Sequence, residues 1–318
     1  MTMTGHDVLV LSPSFGQWSP APRARMDALG LTARATIARS PLTSAQLQAE
    51  IGTAEALIVG LDEVDAAAIA AGEHLKVIAK HGVGVDNIDV AAAKAHGITV
   101  VNVPGANHAA VADLVFGLLL GLARHIVEAH RSVVAGEWAK FHGPELSGKQ
   151  LGIVGLGRIG CEVARRARGF GMTLLAYDPY APAERFEAEG AARADDLDAL
   201  FASSDMVTLH LPSSGTTLVD ERRLALMRPG ALLINAARGD LVDEDAVAAA
   251  LASGRLGGYA ADAFASEPPV GSPLLAASNV LLTPHIGAFT DRANELMGVS
   301  VVEDIAAVLD GRSPRNPV

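Results

Sequence analysis

Three polar residues late in the chain have side chains that could together hold a carboxylate and move a proton. Arg238 follows an apolar run, and a guanidinium there can form a fork of two hydrogen bonds to a carboxylate. His285 follows another apolar run, and an imidazole with an unperturbed pKa of about 6.5 exchanges protons near neutral pH. Glu267 would accept the second imidazole N–H and fix the tautomer. Singly, each also fits an ordinary role: a solvated or helix-capping arginine, a core histidine or a surface acid.

A glycine-rich loop between a strand-like run and a helical run predicts where a pyrophosphate binds. The loop has the pattern G-x-G-x-x-G, written Gly155-Leu156-Gly157-Arg158-Ile159-Gly160. Gly155 permits the tight turn, Gly157 lets the backbone approach the phosphates, and Gly160 lets the helix pack close to the strand. The free N–H groups at the helix start then face the phosphates. The pattern alone is weak, since flexible loops also contain it, but the flanking strand and helix strengthen it.

Asp178 ends the next strand, about 20 residues beyond the loop, where a ribose-binding acid belongs. Its carboxylate would accept hydrogen bonds from the adenosine ribose and repel a 2′-phosphate. No arginine follows it directly, because the next residues are Pro179 and Tyr180. The sequence therefore predicts that the chain binds NAD rather than NADP.

Short β-rich runs alternate with alanine-rich helical runs along the whole chain. The predicted strands are Val8–Leu11, Ala56–Val59, Val77–Ala79, Thr99–Val101, Leu151–Val154, Thr173–Tyr177, Met206–His210, Ala231–Asn235, Gly258–Asp262 and Val280–Thr283. The predicted helices are 44–51, 65–71, 89–95, one long helix over 109–134, 159–168 and 291–309. Such alternation is typical of an α/β fold, with parallel sheets covered by helices on both faces.

Composition limits the partners and the location. The 318 residues predict two domains, and the formal net charge of −11 disfavours nucleic acid and anionic membrane surfaces. The longest apolar run, Leu114–Ala123, is too short to span a bilayer, and no signal pattern is visible at the N-terminus. Cys161 has no cysteine to pair with and is interpreted as a small buried helix residue, and the scattered histidines predict no metal site. We expect a cytoplasmic protein.

Together these features resemble the D-isomer specific 2-hydroxyacid dehydrogenase family, which includes phosphoglycerate dehydrogenase. The matching segments run through nearly the whole chain: Gly82–Asp89, Asn102–Asn107, Val111–Asp113, the glycine loop, His210–Pro212 with Thr217, Asn235–Asp240, Asp262–Pro268 and Thr283–Gly287. The resemblance implies an NAD-dependent oxidoreductase that moves a hydride between NAD(H) and a small 2-hydroxy or 2-keto acid.

The resemblance also implies site residues. His285 would be the general acid–base, Glu267 its partner and Arg238 the substrate anchor, while Asp262 would bind the nicotinamide carboxamide. The implied cofactor contacts are Gly155, Gly157, Arg158, Ile159, Gly160, Asp178, His210, Leu211, Pro212, Thr217, Ala236, Ala237, Arg238, Asp262, His285 and Gly287. The implied substrate contacts are Lys80, His81, Gly82, Val83, Gly84, Asn107, Arg238 and His285.

The family fold implies a discontinuous arrangement. A flavodoxin-like substrate-binding domain would comprise residues 1–100 and 288–318, and a Rossmann NAD-binding domain, 101–287, would be inserted into it. The family usually dimerises through the long helix and the Gly136–Trp138 loop, which implies a homodimer here.

Departures from the family leave the substrate open. Phosphoglycerate-specific members typically carry an arginine just after the strand where this chain has Val59-Gly60, and basic residues near the loop where it has Ala139-Lys140. Lys80 keeps one cation near the glycine-rich substrate loop. Two interpretations remain: a 2-keto acid with a smaller or differently charged tail, which we favour slightly, or phosphoglycerate with weaker phosphate contacts. Rival functions are an NAD-binding corepressor-like scaffold and a formate or phosphite dehydrogenase of the same fold.

Overall fold

The computed structural model describes residues 5–37 and 40–318. Its strands are β1 His6–Val10, β2 Leu31–Ala35, β3 Ala56–Val59, β4 Val77–Lys80, β5 Thr99–Val101, β6 Gln150–Val154, β7 Thr173–Tyr177, β8 Ala192–Arg193, β9 Met206–Leu209, β10 Ala231–Asn235, β11 Leu256–Ala261 and β12 Val280–Leu282. Its α-helices are α1 Ala21–Ala28, α2 Ser44–Ile51, α3 Ala66–Ala71, α4 Val90–Ala95, α5 His108–Ala123, α6 Ile126–Val134, α7 Arg158–Gly169, α8 Ala183–Glu189, α9 Leu197–Ser203, α10 Glu221–Leu226, α11 Glu244–Ala252 and α12 Asp291–Leu309.

The chain forms two compact units. Unit 1 contains the described residues of Met1–Asn107 together with Ala288–Val318, and unit 2 is His108–Gly287. Residues 1–4 and 38–39 of the predicted segment 1–100 lie outside the described residues. The assignment of substrate binding to the unit made from both chain ends stays a prediction.

Unit 1 is built on a five-stranded parallel sheet in the order β2-β1-β3-β4-β5. This is the flavodoxin-like order, in which β2 lies on one side of β1 and the later strands are added on the other side, beginning with β3. Successive side chains of a strand point to opposite faces, so Leu9 lies in one apolar core while Val8 and Val10 lie in another. Two buried faces need helices on both sides, and α12 covers one of them through Val301 and Ile305.

Unit 2 is built on a seven-stranded parallel sheet in the order β12-β11-β10-β9-β6-β7-β8. Without β12, the other six strands have the Rossmann order, in which the direction of strand addition reverses between the neighbouring strands β6 and β9. Ile153 and Leu232 enter one core, whereas Val154 and Leu233 enter the other. The predicted α/β class with helices on both faces is therefore confirmed, and the loops after β6 and β9 lie at the point where such sheets bind ligands.

The prediction of one long helix over 109–134 is wrong. The segment folds as α5 and α6, which meet at an angle of 61°. His125 between them has a φ of +50°, the left-handed conformation that ends a helix. An apolar pattern with no proline or glycine at the junction gave no sign of this break. Among the described residues, no single helix has both the length and the apolar character to cross a bilayer.

Candidate active site

Arg238 lies in the turn that follows β10, and its neighbours fix that turn. The Asn235 side chain accepts the Ala237 N–H at 3.1 Å and donates to the Arg238 carbonyl at 2.8 Å. Gly239 packs directly on the Phe264 backbone, since a Cβ there would lie 1.8 Å from the Phe264 carbonyl carbon. The contact joins the Arg238 turn to the segment that carries Glu267.

His285 and Glu267 form the imidazole–carboxylate pair that the sequence predicts. His285 Nδ1 lies 2.8 Å from Glu267 Oε2 and 3.0 Å from Oε1, and Oε1 also accepts the Phe264 N–H at 3.1 Å. Burial raises the pKa of Glu267, but the bond and charge of His285, the Phe264 N–H and the charge of Arg238 outweigh it, so its pKa is lowered. The ionised carboxylate holds the proton on Nδ1, which leaves Nε2 for a reacting group.

The His285 backbone adopts a φ of +54°, which is uncommon for any residue other than glycine. Asp262 holds the loop in place: it accepts the Thr283 hydroxyl at 2.6 Å and the N–H groups of Ile286 and Gly287, each at 2.8 Å. Burial raises the pKa of Asp262, while these bonds and the His285 charge oppose that rise. Strained backbone of this kind clusters at functional sites, where the surroundings enforce it.

The glycine loop has the shape that a dinucleotide requires. Gly155 has a φ of +94°, and a Cβ there would lie 2.5 Å from the His210 carbonyl oxygen. A Cβ on Gly160 would lie 2.1 Å from the Gly155 carbonyl oxygen. A Cβ on Gly157, in contrast, meets no atom within 4 Å, so open space lies before the start of α7. Because Gly157 has no side chain to cap the helix, the N–H groups of its first turn can bind an anion.

Asp178 is fixed beside this loop. Its Oδ2 accepts the Leu156 N–H at 2.9 Å, and its Oδ1 accepts those of Tyr180 and Ala181 at 2.9 and 3.1 Å. A carboxylate accepts about four hydrogen bonds, so capacity remains for a ribose hydroxyl. Arg185 on α8 donates to the Leu156 carbonyl at 3.4 Å, so a cation that the sequence pattern did not place does approach the loop.

We expect wild-type protein to bind NADH more tightly than NADPH, and Asp178→Ala to reduce that preference by roughly 10- to 100-fold. A lost charged hydrogen bond is worth about 1.5–3 kcal/mol, and the repulsion of a 2′-phosphate is lost with it. Dissociation constants from NADH and NADPH fluorescence titrations measure both effects. Asp195→Ala, at an exposed position of the same unit, is the control. Tighter NADPH binding by wild type would contradict the assignment and would point to Arg185 as a cation that binds the 2′-phosphate.

The other predicted cofactor contacts surround the same edge of the unit 2 sheet. His210 follows β9, its Nε2 lies 3.1 Å from the Thr208 hydroxyl, and its buried Nδ1 has no hydrogen-bond partner among the described residues. Burial lowers the pKa of His210 to about 3, so the ring is neutral. Leu211 and Ala236 are partly buried, Ala237 is buried, and Pro212 and Thr217 are exposed. An unpaired buried nitrogen, an uncapped helix start and a glycine cradle fit a dinucleotide.

Most of the predicted substrate residues of unit 1 lie at the carboxyl end of β4, from Lys80 to Gly84. Lys80 and His81 are buried, and the Gly82 and Val83 carbonyls accept hydrogen bonds from the Val103 N–H and the Asn102 amide. The last predicted substrate residue, Asn107, is partly buried at the end of this unit's first segment.

The Lys80 ammonium forms its hydrogen bonds within its own unit. It donates to the Gly60 carbonyl and to Asn87 Oδ1, each at 2.5 Å, and the Asn87 amide in turn donates to the Gly60 and Asp62 carbonyls. Lys80 thus lies beside Gly60.

Three positioning residues escaped sequence reasoning. Asn235 and Thr283 lay inside quoted motifs, but only the folded contacts show that they hold Arg238 and Asp262. Glu244 on α11 accepts the Ala265 N–H at 3.0 Å and the Ser272 hydroxyl at 2.5 Å, so it braces the segment that carries Glu267. No pattern pointed to Glu244, because its partners are distant in sequence. Across residues 5–37 and 40–318, no three His, Cys, Asp or Glu side chains group as metal ligands.

Comparison with known proteins identifies relatives of this chain. Residues 116–287 match the model of the D-isomer specific 2-hydroxyacid dehydrogenase NAD binding domain. The chain is 44% identical over 282 residues to D-3-phosphoglycerate dehydrogenase of Methanocaldococcus jannaschii, covering 87% of this chain and 54% of that protein. It is also 44% identical over 250 residues to hydroxypyruvate reductase of Thermotoga maritima, covering 76% of this chain and 80% of that one.

A solved structure extends the likeness over the entire fold. The crystal structure of TT0316 protein from Thermus thermophilus superposes with a TM-score of 0.88 at 36% identity, covering 98% of this chain and 99% of that one. The chain spans about half the length of several phosphoglycerate dehydrogenases that it matches, between 46% and 54% of each. The chain belongs to the D-isomer specific 2-hydroxyacid dehydrogenase family and carries that family's NAD-binding domain.

Proposed function

We propose that the protein is an NAD-dependent D-2-hydroxyacid dehydrogenase acting on a small 2-hydroxy or 2-keto acid. The observation that carries the proposal is the 2.8 Å pairing of His285 Nδ1 with Glu267, on the same unit as Arg238 and the glycine loop. Such a pair is a proton donor with a fixed tautomer, which reduction of a ketone needs.

NADH, when bound, supplies the hydride that the reaction adds to the keto carbon. His285 Nε2 gives its proton to the oxygen that becomes the alcohol, and Glu267 stabilises the imidazolium before that transfer. Arg238 holds the substrate carboxylate by charge-assisted hydrogen bonds and draws electron density from the adjacent carbonyl. The backbone of His81–Gly84 is our candidate for a second carboxylate contact. In the oxidation direction, the neutral imidazole accepts the alcohol proton.

A panel of 2-keto acids with NADH tests the proposal, with loss of NADH absorbance as the readout. The panel contains hydroxypyruvate, glyoxylate, pyruvate, phosphohydroxypyruvate and sulfopyruvate. We expect turnover of at least one of them to the D-hydroxy acid. NADH binding without turnover of any keto acid would favour the corepressor-like scaffold. NAD reduction by formate or phosphite alone would favour a formate or phosphite dehydrogenase of the same fold. The homodimer and the cytoplasmic location stay predictions.

A further inference from the structure

Unit 1 contains a buried polar cluster that the proposed reaction does not use. It consists of Ser12, Ser14, His81 and Asn294, and we call it the serine–histidine cluster. Each residue is at most 7% exposed. Ser12 Oγ and Ser14 Oγ each lie 3.2 Å from His81 Nδ1 and 3.1 Å from each other. The Phe15 ring packs edge-on to the imidazole at 5.8 Å, which helps to hold its orientation.

Three polar atoms of this cluster are buried without a hydrogen-bond partner among the described residues. They are His81 Nε2 and both side-chain atoms of Asn294, Nδ2 and Oδ1. The two residues are neighbours, because the Asn294 backbone lies close enough to the His81 ring to raise its pKa, although its geometry falls short of a hydrogen bond to Nε2. A buried polar group left unpaired destabilises a protein, so three together call for a ligand that pairs them.

The position in the fold is one where ligands bind. Ser12 follows β1 and His81 follows β4, at the carboxyl edge of the parallel sheet and beside the β1–β3 reversal. Asn294 comes from the first turn of α12, so three separate chain segments converge on the cluster. His81 also begins the loop that we assign to the substrate carboxylate. The third carbon of a 2-keto acid is two bonds from that carboxylate carbon, so a carboxylate bound at the loop in the way we propose would bring the third-carbon substituent close to it.

The chemistry of the cluster is uncharged. Burial lowers the pKa of His81 to about 4, with a further lowering from the Lys80 charge and an opposing effect from the Asn294 backbone, so the ring is neutral at physiological pH. Lys80 is committed to Gly60 and Asn87, and Gly60 supplies no charge. Among residues 5–37 and 40–318, the cation adjacent to His81 in the chain is Lys80, and its ammonium already has these two partners. Hydroxyls, an amide and a neutral imidazole all donate and accept, which is what a hydroxyl ligand requires.

We propose that the serine–histidine cluster recognises an uncharged hydroxyl on the third carbon of the substrate. The inference rests on the proposed function and narrows its substrate class. The substrate class is that of 3-hydroxy-2-keto acids and their reduced forms, in preference to phosphorylated or unsubstituted analogues. The Asn294 amide and His81 Nε2 form hydrogen bonds with the substrate hydroxyl, and the Ser12 and Ser14 hydroxyls hold the imidazole in place through its Nδ1.

The test compares kcat/KM for hydroxypyruvate, pyruvate and phosphohydroxypyruvate, which differ only at the third carbon. Wild type should favour hydroxypyruvate over pyruvate by about 100-fold or more, because a missing hydroxyl leaves buried groups unpaired. Asn294→Leu should reduce that ratio by about tenfold or more, mainly through hydroxypyruvate KM, and Ser14→Ala should reduce it by roughly 3- to 10-fold. NADH affinity should change little in both variants, because the cluster lies in unit 1 and the glycine loop in unit 2.

Ser19→Ala is the matched control. Ser19 is a buried serine of the same loop whose hydroxyl donates to Glu295 on α12 at 2.6 Å, so its loss perturbs the region without touching the cluster. The control should keep the wild-type ratio. If thermal melting shows that Asn294→Leu is unfolded, the hydroxypyruvate-to-pyruvate ratio of Ser14→Ala tests the inference instead.

Several results would overturn the inference and leave the proposed function standing. These are turnover with no preference for hydroxypyruvate over pyruvate, a preference for phosphohydroxypyruvate, or an equal loss for every substrate in folded variants. Failure of the proposed function looks different, because no keto acid would then be reduced although NADH binds.

Discussion

Replacing His285 by alanine should reduce turnover by a factor on the order of 10²–10⁴ while the affinity for NADH is nearly kept. The variant removes the proposed proton donor, whereas the glycine loop and Asp178 remain intact. His285→Asn should give a similar loss, and it is the cleaner test, because asparagine tolerates the φ of +54° found there better than alanine does. Steady-state kinetics with the best keto acid of the panel and an NADH titration measure the two quantities.

The exposed His74 offers a matched control, since His74→Ala should leave both quantities at wild-type values. Turnover in His285→Asn within about threefold of wild type would remove the imidazole from the mechanism. Loss of NADH binding in step with turnover would instead show that the loop from Thr283 to Gly287 acts mainly on the cofactor.

Replacing Arg238 by alanine should lower kcat/KM by roughly 10²–10⁴. The two charged hydrogen bonds that we propose from Arg238 to the substrate carboxylate are each worth about 1.5–3 kcal/mol. Arg238→Lys should recover only about tenfold of that loss, since an ammonium keeps the charge but cannot form the planar fork. The measurement is kcat/KM over a range of keto acid concentrations at saturating NADH.

Arg228 supplies the control for charge removal in the same unit. It pairs with Asp205 at 2.9 Å and its side chain is 47% exposed, so Arg228→Ala should change kcat/KM by no more than about twofold. A lysine variant as active as wild type would show that charge alone, and not the fork, holds the substrate.

The sequence alone determined the class of fold and most of the element positions. Strand and helix periods depend on neighbouring residues, so Ala56–Val59, Thr173–Tyr177, Ala231–Asn235 and the last helix were predicted with the bounds that the structure has. The glycine loop was readable for the same reason, since turn, phosphate approach and close packing are all local demands on Gly155, Gly157 and Gly160. The break at His125 was not readable, because no residue type at the junction announces a left-handed backbone.

Only the tertiary structure decided which side chains meet. The hydrogen bond from the Ala265 N–H to Glu244 and the packing of Gly239 on Phe264 join residues from different segments at one edge of the sheet. The serine–histidine cluster gathers residues from both ends of the chain, and nothing in their spacing marks them. Hydrogen bonds and burial depend on distances in space, and a sequence shows these only where the partners are near neighbours along the chain.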